Sequence, residues 1–147
     1  MKFRLAIAAL ALFAVVASGS LRAEEEKKAE PKCPVSGQPC KAEHTVAFNG
    51  GKVAFCCPNC PKAFEADPEK FAAKANLQLL QTGQIKQVKC PLAGRPMAAD
   101  KVVEVEGVEI AVCCPGCLAK AKKATGDDLI TLLFTDAKKV AFEPVKK

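Results

Sequence analysis

The chain has 147 residues, nine cysteines, one histidine, no tryptophan or tyrosine, and a formal charge of +6. Three of those positive charges, Lys2, Arg4 and Arg22, lie in the first 23 residues, which hold no acid, so the remainder carries only +3. That balance gives no footing for a nucleic-acid partner. No carboxylate pair in a recognisable motif, Ser-His-Asp set or phosphate loop occurs, so nothing in the sequence argues for an enzyme.

Residues 1–23 read as a signal peptide. Lys2 and Arg4 precede the uncharged apolar run Leu5–Ala17, and small residues lead to Leu21-Arg22-Ala23. The run is short of the ~20 residues a permanent membrane helix needs. Cleavage after Ala23, or alternatively after Ser20, leaves a mature chain without stable membrane insertion, periplasmic or secreted. An uncleaved anchor is the alternative. Residues 24–32 (EEEKKAEPK) are charged, lack periodicity and read as a solvated linker.

An internal repeat follows. A shift of 57 residues places Cys33 on Cys90, Pro34 on Pro91, Gly37 on Gly94 and Pro39 on Pro96. It also superposes Cys56-Cys57-Pro58-x-Cys60 on Cys113-Cys114-Pro115-x-Cys117, and 12 of 28 ungapped positions match. The chain therefore divides into unit one, 33–89, and a divergent unit two, 90–147.

Each unit opens on a tight Cys-Pro-x-x-Gly turn in which Gly37 is free to take a positive φ. Thr45–Phe48 and Lys52–Phe55 flank Asn49-Gly50-Gly51 and predict a hairpin. Val102–Val105 and Val108–Val112 predict its counterpart around Glu106-Gly107. Helices are expected from Pro58 to about Ala66 and from Pro115 to about Ala124. A second helix in unit one, capped by Asp67, runs through Phe71 and Ala75. In unit two Gly126-Asp127 begins another segment through Leu133. The tails 77–89 and 132–142 read either as a closing hairpin in each unit or as strands crossing between units.

The thiols recur as C-x22-C-C-x2-C in both units. A turn cysteine combined with cysteines at a strand-to-helix junction is how small modules converge ligands on one ion. Thiolates at a helix start are further favoured by its unpaired N–H groups. The candidate metal ligands are Cys33, Cys56, Cys57 and Cys60, then Cys90, Cys113, Cys114 and Cys117. Cys40 and Met97 align in a Gly-x-Pro-(Cys/Met) turn and are candidate accessory ligands for a soft metal, or else packed apolar residues. His44 aligns with Lys101 and reads as a surface residue.

Cys33-Pro-Val-x-Gly, Phe48-Asn-Gly-Gly-Lys-Val-Ala-Phe55, Cys56-x3-Cys60, Lys62-x-Phe64 and Asp67-Pro68-x-x-Phe71 together resemble the YHS and TRASH group of small cysteine modules. That resemblance implies an α+β fold of two small treble-clef-like units, each a knuckle, a β-hairpin and a helix. It also implies heavy-metal trafficking, resistance or sensing, with Cys33, Cys56 and Cys60, then Cys90, Cys113 and Cys117, as the metal-site trios. The family's tyrosines are absent, with Phe48 and Val53 in their places. Where many members carry a second cysteine in the first turn, this chain has Ser36 and Ala93. In unit two the resemblance fades after Cys117, where Ala121 stands for Phe64 and Asp128 for Phe71. Cys57 and Cys114 are additional to the trio and decide between three- and four-coordinate sites.

The expectation is an exported protein that buffers or relays zinc or copper(I), up to one ion per unit, with a metal transporter or metallochaperone as partner. A structural-zinc interaction module is the alternative. A disulfide framework and a thiol redox protein, the latter suggested by Cys57-Pro58-Asn59-Cys60 and Cys114-Pro115-Gly116-Cys117, also remain open.

Overall fold

The computed structural model describes residues 30–135 and 141–145. The expected signal, 1–23, and all but the end of the linker 24–32 lie outside them. Among the described residues no helix is long and apolar enough to cross a membrane.

Both units begin with the same knuckle. Cys33 N–H donates to the Gln38 carbonyl and Gly37 N–H to the Cys33 carbonyl, each at 2.8 Å. Cys90, Arg95 and Gly94 repeat both bonds at 2.8 Å. The turn closes only with a positive φ at its fifth residue, +71° at Gly37 and +64° at Gly94, which glycine adopts without a Cβ clash.

The hairpins follow. β1 (Lys41–Phe48) pairs antiparallel with β2 (Gly51–Phe55), with an irregularity between Lys41 and Thr45. β4 (Val102–Val105) pairs with β5 (Val108–Ala111) in unbroken register. Both turns take two residues with positive φ, 46° and 79° at Asn49-Gly50 and 45° and 79° at Glu106-Gly107. That is the twist a two-residue hairpin prefers.

Each hairpin runs into a helix. α1 (Asn59–Ala66) starts one residue after the expected proline, because Pro58 serves as its N-cap. α3 (Pro115–Lys123) starts on the proline, with Cys114 as an extended N-cap. The second helices are α2 (Pro68–Gln81) and α4 (Gly126–Phe134). The Asp67 carboxylate accepts from Lys70 N–H at 3.3 Å, the expected cap. α2 runs well past Ala75, since Leu77, Leu79 and Leu80 supply apolar side chains on more than one side of it.

That extension joins the units. One flank of α2, through Ala75 and Leu79, completes a core with Val53, Phe55, Phe64 and Ile85. Phe64 lies at its centre, edge-on to Phe48 at 5.1 Å and tilted on Phe55 at 5.4 Å. The other flank, through Leu77, enters a second core with Val105, Ile110, Ile130, Leu133 and Phe134 from unit two. Of the tails, 77–81 and 132–134 end α2 and α4, 136–140 lie outside the described residues, and the remaining stretches supply crossing strands. β3 (Ile85–Gln87) pairs antiparallel with β6 (Phe142–Pro144), Lys86 opposite Glu143. Those two residues are repeat equivalents under the 57-residue shift. The fold class is α+β, two small units in tandem, and their interface is part of the core.

Buried polar groups on α2 tie the units further. The Asn76 carbonyl oxygen accepts from the Asn49 side chain at 2.7 Å, and its amide donates to the Phe134 carbonyl at 3.0 Å. The Gln81 amide donates to the Glu106 carbonyl at 3.0 Å.

Candidate metal centres

The knuckle and the hairpin–helix junction deliver their thiols to one place in each unit. The sulfurs of Cys33, Cys56 and Cys60 lie within 4.8 Å of one another, as do those of Cys90, Cys113 and Cys117. Within the trios Cys56 and Cys60 lie 3.6 Å apart and Cys113 and Cys117 3.7 Å apart. Two thiolates held by one tetrahedral ion at ~2.3 Å are about 3.8 Å apart, so these spacings fit a shared ion. They are far from the ~2.05 Å of a disulfide, and all nine cysteines are free thiols. In both trios the first and last cysteines are buried and the middle one is half-buried. The donor set, all sulfur, suits a soft or borderline metal.

The two units differ in what surrounds their sulfurs. In unit one the Ser36 hydroxyl lies 3.0 Å from Cys56 Sγ. Unit two has Ala93 in the equivalent position and no hydroxyl there. Cys57 Sγ lies 3.3 Å from Cys60 Sγ, outside the trio. Cys114, the corresponding thiol, is likewise outside its trio, at the extended N-cap of α3. Cys40 is also outside. Its thiol donates to the Ala54 carbonyl at 3.1 Å and accepts from the Gln78 amide at 3.1 Å. Its repeat equivalent Met97 is exposed, and His44 sits half-buried on β1.

The thiols of each centre are tuned in opposite directions. Burial raises the Cys33 thiol, but hydrogen bonds from the Ser36 hydroxyl and from the Ser36, Cys56 and Val35 backbone outweigh it and bring it down to about 7. Burial likewise opposes ionisation of Cys90, yet backbone groups of Cys113, Leu92 and Ala93 hold it below the usual thiol range. Burial pushes Cys60 well up, reinforced by Cys57, Cys56 and Cys33. Burial, then Cys114 and Cys113, push Cys117 up to about 12. Cys113 is raised by burial and by Cys90. The thiols outside the trios diverge as well. Cys57 is lowered by its hydrogen bonds to the Cys60 side chain and backbone. Cys114 is lowered to about 7, first by the Cys117 backbone and then by its side chain. Burial, followed by the charges of Cys33 and Cys56, lifts Cys40 to about 11. Each trio thus combines a readily ionised first thiol with a buried last cysteine that keeps its proton until an ion displaces it.

Two glutamines hold this scaffold, and no sequence pattern marks them. The Gln78 amide donates to the Lys32 carbonyl at 2.9 Å and the Ala54 carbonyl at 2.8 Å, while its oxygen accepts from Ala54 N–H at 2.7 Å. Lys32 immediately precedes Cys33, and Ala54 lies two residues before Cys56. One side chain therefore fixes the distance between the segments that supply both cysteines. In unit two the Gln87 amide donates to the carbonyls of Lys89 at 3.0 Å and Ala111 at 2.7 Å, and its oxygen accepts from Ala111 N–H at 3.0 Å.

Comparison with protein-family models, with curated proteins and with solved structures returned no match for this chain.

Proposed function

We propose that this chain is an exported metal-binding protein that holds copper(I) or zinc(II), one ion in each cysteine trio, for buffering, resistance or relay. The observation that carries this reading is the convergence of Cys33, Cys56 and Cys60, and again of Cys90, Cys113 and Cys117, to within 4.8 Å. The signal-like first 23 residues support export, most simply to a periplasm, and the likeness to the YHS and TRASH modules supports a heavy metal. Relay to a transporter or metallochaperone is supported by the half-buried middle thiols Cys56 and Cys113, which leave each centre one edge that a partner's thiolate can approach. The chain's own groups would do the binding. Cys33 and Cys90, the readily ionised thiols, supply the first charge, and the buried last cysteines give up their protons as the ion seats. We read no catalytic step into this arrangement.

Structural zinc is the second reading, and one feature favours it. The cluster that contains the unit-two centre consists of Cys90, Val112 and Cys117, with Leu92, Cys113, Cys114 and Leu118 against it, a small apolar store without an ion.

The test is metal stoichiometry and competition affinity for zinc(II) and copper(I) on the purified, reduced chain, with circular dichroism before and after metal removal. Two ions bound, a copper(I) preference and a fold that survives removal are the expected results. Two zinc ions without copper preference, and unfolding on their removal, would leave the structural reading. A metal-free, fully oxidised, well-folded product overturns metal binding.

A further inference from the structure

Cys57, like Cys40 and Cys114, is a thiol that the metal-binding reading does not use, although its sulfur lies against that of a trio member. Its sulfur is 3.3 Å from that of Cys60, against 3.6 Å between Cys56 and Cys60. A backbone hydrogen bond from Cys60 N–H to the Cys57 carbonyl at 3.3 Å closes the Cys57-Pro58-Asn59-Cys60 turn and holds the two side chains on the same side. Cys57 is half-buried and Cys60 buried, so a reagent from solvent meets Cys57 first. Reacting atoms about 3–3.5 Å apart are already at attack distance.

We propose that Cys57 and Cys60 are a redox gate on the first metal centre: a reversible disulfide between them withdraws Cys60 from the trio and releases the ion. The inference rests on the metal-binding reading above. The co-reactant is a solvent-borne disulfide. The Cys57 thiolate attacks one of its sulfurs, forming a mixed disulfide and expelling one thiolate. The Cys60 sulfur then attacks Cys57 Sγ, closing the Cys57–Cys60 bond and expelling the second thiolate. Two electrons pass from the cysteine pair to the co-reactant, which leaves as two thiols carrying two protons. Cys33 and Cys56 remain, two sulfurs where there were three.

The second centre is built differently at this point. Cys114 is the extended residue before α3, whereas the matching residue in unit one precedes an N-cap proline in the helical region. Cys114 also lies within reach of the Cys117 side chain and backbone, but the well-formed sulfur–sulfur hydrogen bond of Cys117 is the one to Cys113 at 3.7 Å. The gate therefore acts on the first centre before the second.

The experiment loads the full chain with zinc(II), titrates it with glutathione disulfide, follows released zinc with a chromophoric indicator, and maps disulfides by peptide mass spectrometry. Release of one of two zinc ions together with a Cys57–Cys60 bridge is expected, with recovery on adding a dithiol reductant. The C57S chain is expected to keep both ions at a glutathione disulfide concentration that releases one from the parent. Equal release from C57S, simultaneous loss of both ions, or a first bridge mapped elsewhere overturns the gate. A parent chain that keeps two zinc ions through oxidation overturns the gate alone. A chain that takes up neither zinc(II) nor, loaded in its place, copper(I) overturns the metal reading and the gate together.

Discussion

Gln78 and Gln87 hold the same three backbone groups in the two units, yet they are not repeat equivalents. Gln78 reaches the unit-one centre from α2, and Gln87 reaches the unit-two centre from β3, three residues ahead of Cys90. Each bonds both sides of the alanine two residues before the vicinal cysteines, and the carbonyl just before the knuckle cysteine. The shared solution reflects a shared problem. Among the described residues β2 and β5 each have one strand partner, so the outward N–H and C=O of Ala54 and Ala111 need another, and a primary amide supplies donor and acceptor together.

Removing that amide is therefore expected to cost both stability and affinity. Gln78 is 1% exposed, and Q78A strands three backbone groups at about 1 kcal/mol or more each, or about 2–4 kcal/mol in all. Q87A, at a half-buried position, should cost less. Urea unfolding checks the ordering, and site-resolved metal binding should show Q78A weakening the first centre and leaving the second. Equal effects on both centres would refute the clamp.

Separating the units is expected to unfold them. Cutting between Lys89 and Cys90 exposes Leu77, Leu80 and Ala73, which pack against Ile130, Leu133 and Phe134, and leaves β3 without β6. Each buried aliphatic side chain lost to water forfeits about 1.5–3 kcal/mol, against a total stability of about 5–15. Residues 24–89 expressed alone should show little secondary structure by circular dichroism. A monomeric, cooperatively melting fragment would contradict the shared core.

Serine substitutions should sort the cysteines. C33S and C60S are expected to reduce the metal count from two to one, as are C90S and C117S, since each breaks a trio. C40S is expected to keep both ions, because that thiol is committed to Ala54 and Gln78. Mass spectrometry under native conditions reads the count directly, and loss of an ion from C40S would bring that sulfur back as a ligand.

Alkylation should follow the thiol acidities in the metal-free, reduced chain. Cys114, lowered to about 7 and half-buried, is about half thiolate at pH 7. Its rate should climb between about pH 6 and 8 and then level, because ionisation is then complete. Cys40, lifted to about 11, is neutral throughout that range and should react only as the pH approaches its own value. Peptide mapping after iodoacetamide at stepped pH separates the two, and early labelling of Cys40 would refute the assignment.

Glu106 offers a stabilising change. It holds φ at +45° where unit one has Asn49, and asparagine visits that region more readily. Among the described residues its side chain makes one ion pair, 3.6 Å from Lys32, in which both partners are exposed and which is worth little. E106N is expected to add about 0.5–1 kcal/mol of unfolding free energy in urea. A loss of stability would show that the ion pair outweighs the backbone preference.

The repeat, the knuckles, both hairpins and the helix starts were legible from residue order, because each is a local consequence of glycine, proline and asparagine chemistry or of alternating apolar residues; that Gly51 belongs to β2 and leaves a two-residue turn was not. The eight cysteines of the two blocks and their partners were legible for the same reason. Which three of each four gather was not a matter of spacing. Cys56 and Cys57 are neighbours in the chain, and their different places relative to Cys60 follow from the backbone around the helix start. The course of the tails, the shared core along α2 and the glutamine clamps were also beyond the sequence. Leu77 and Leu79 on one helix serve different cores, and Gln78 and Gln87 answer to backbone groups up to 46 residues away. The sequence by itself determined two thiol-rich units and their local turns. Only the tertiary structure decided that the units are inseparable, because that depends on contacts between segments that no local pattern links.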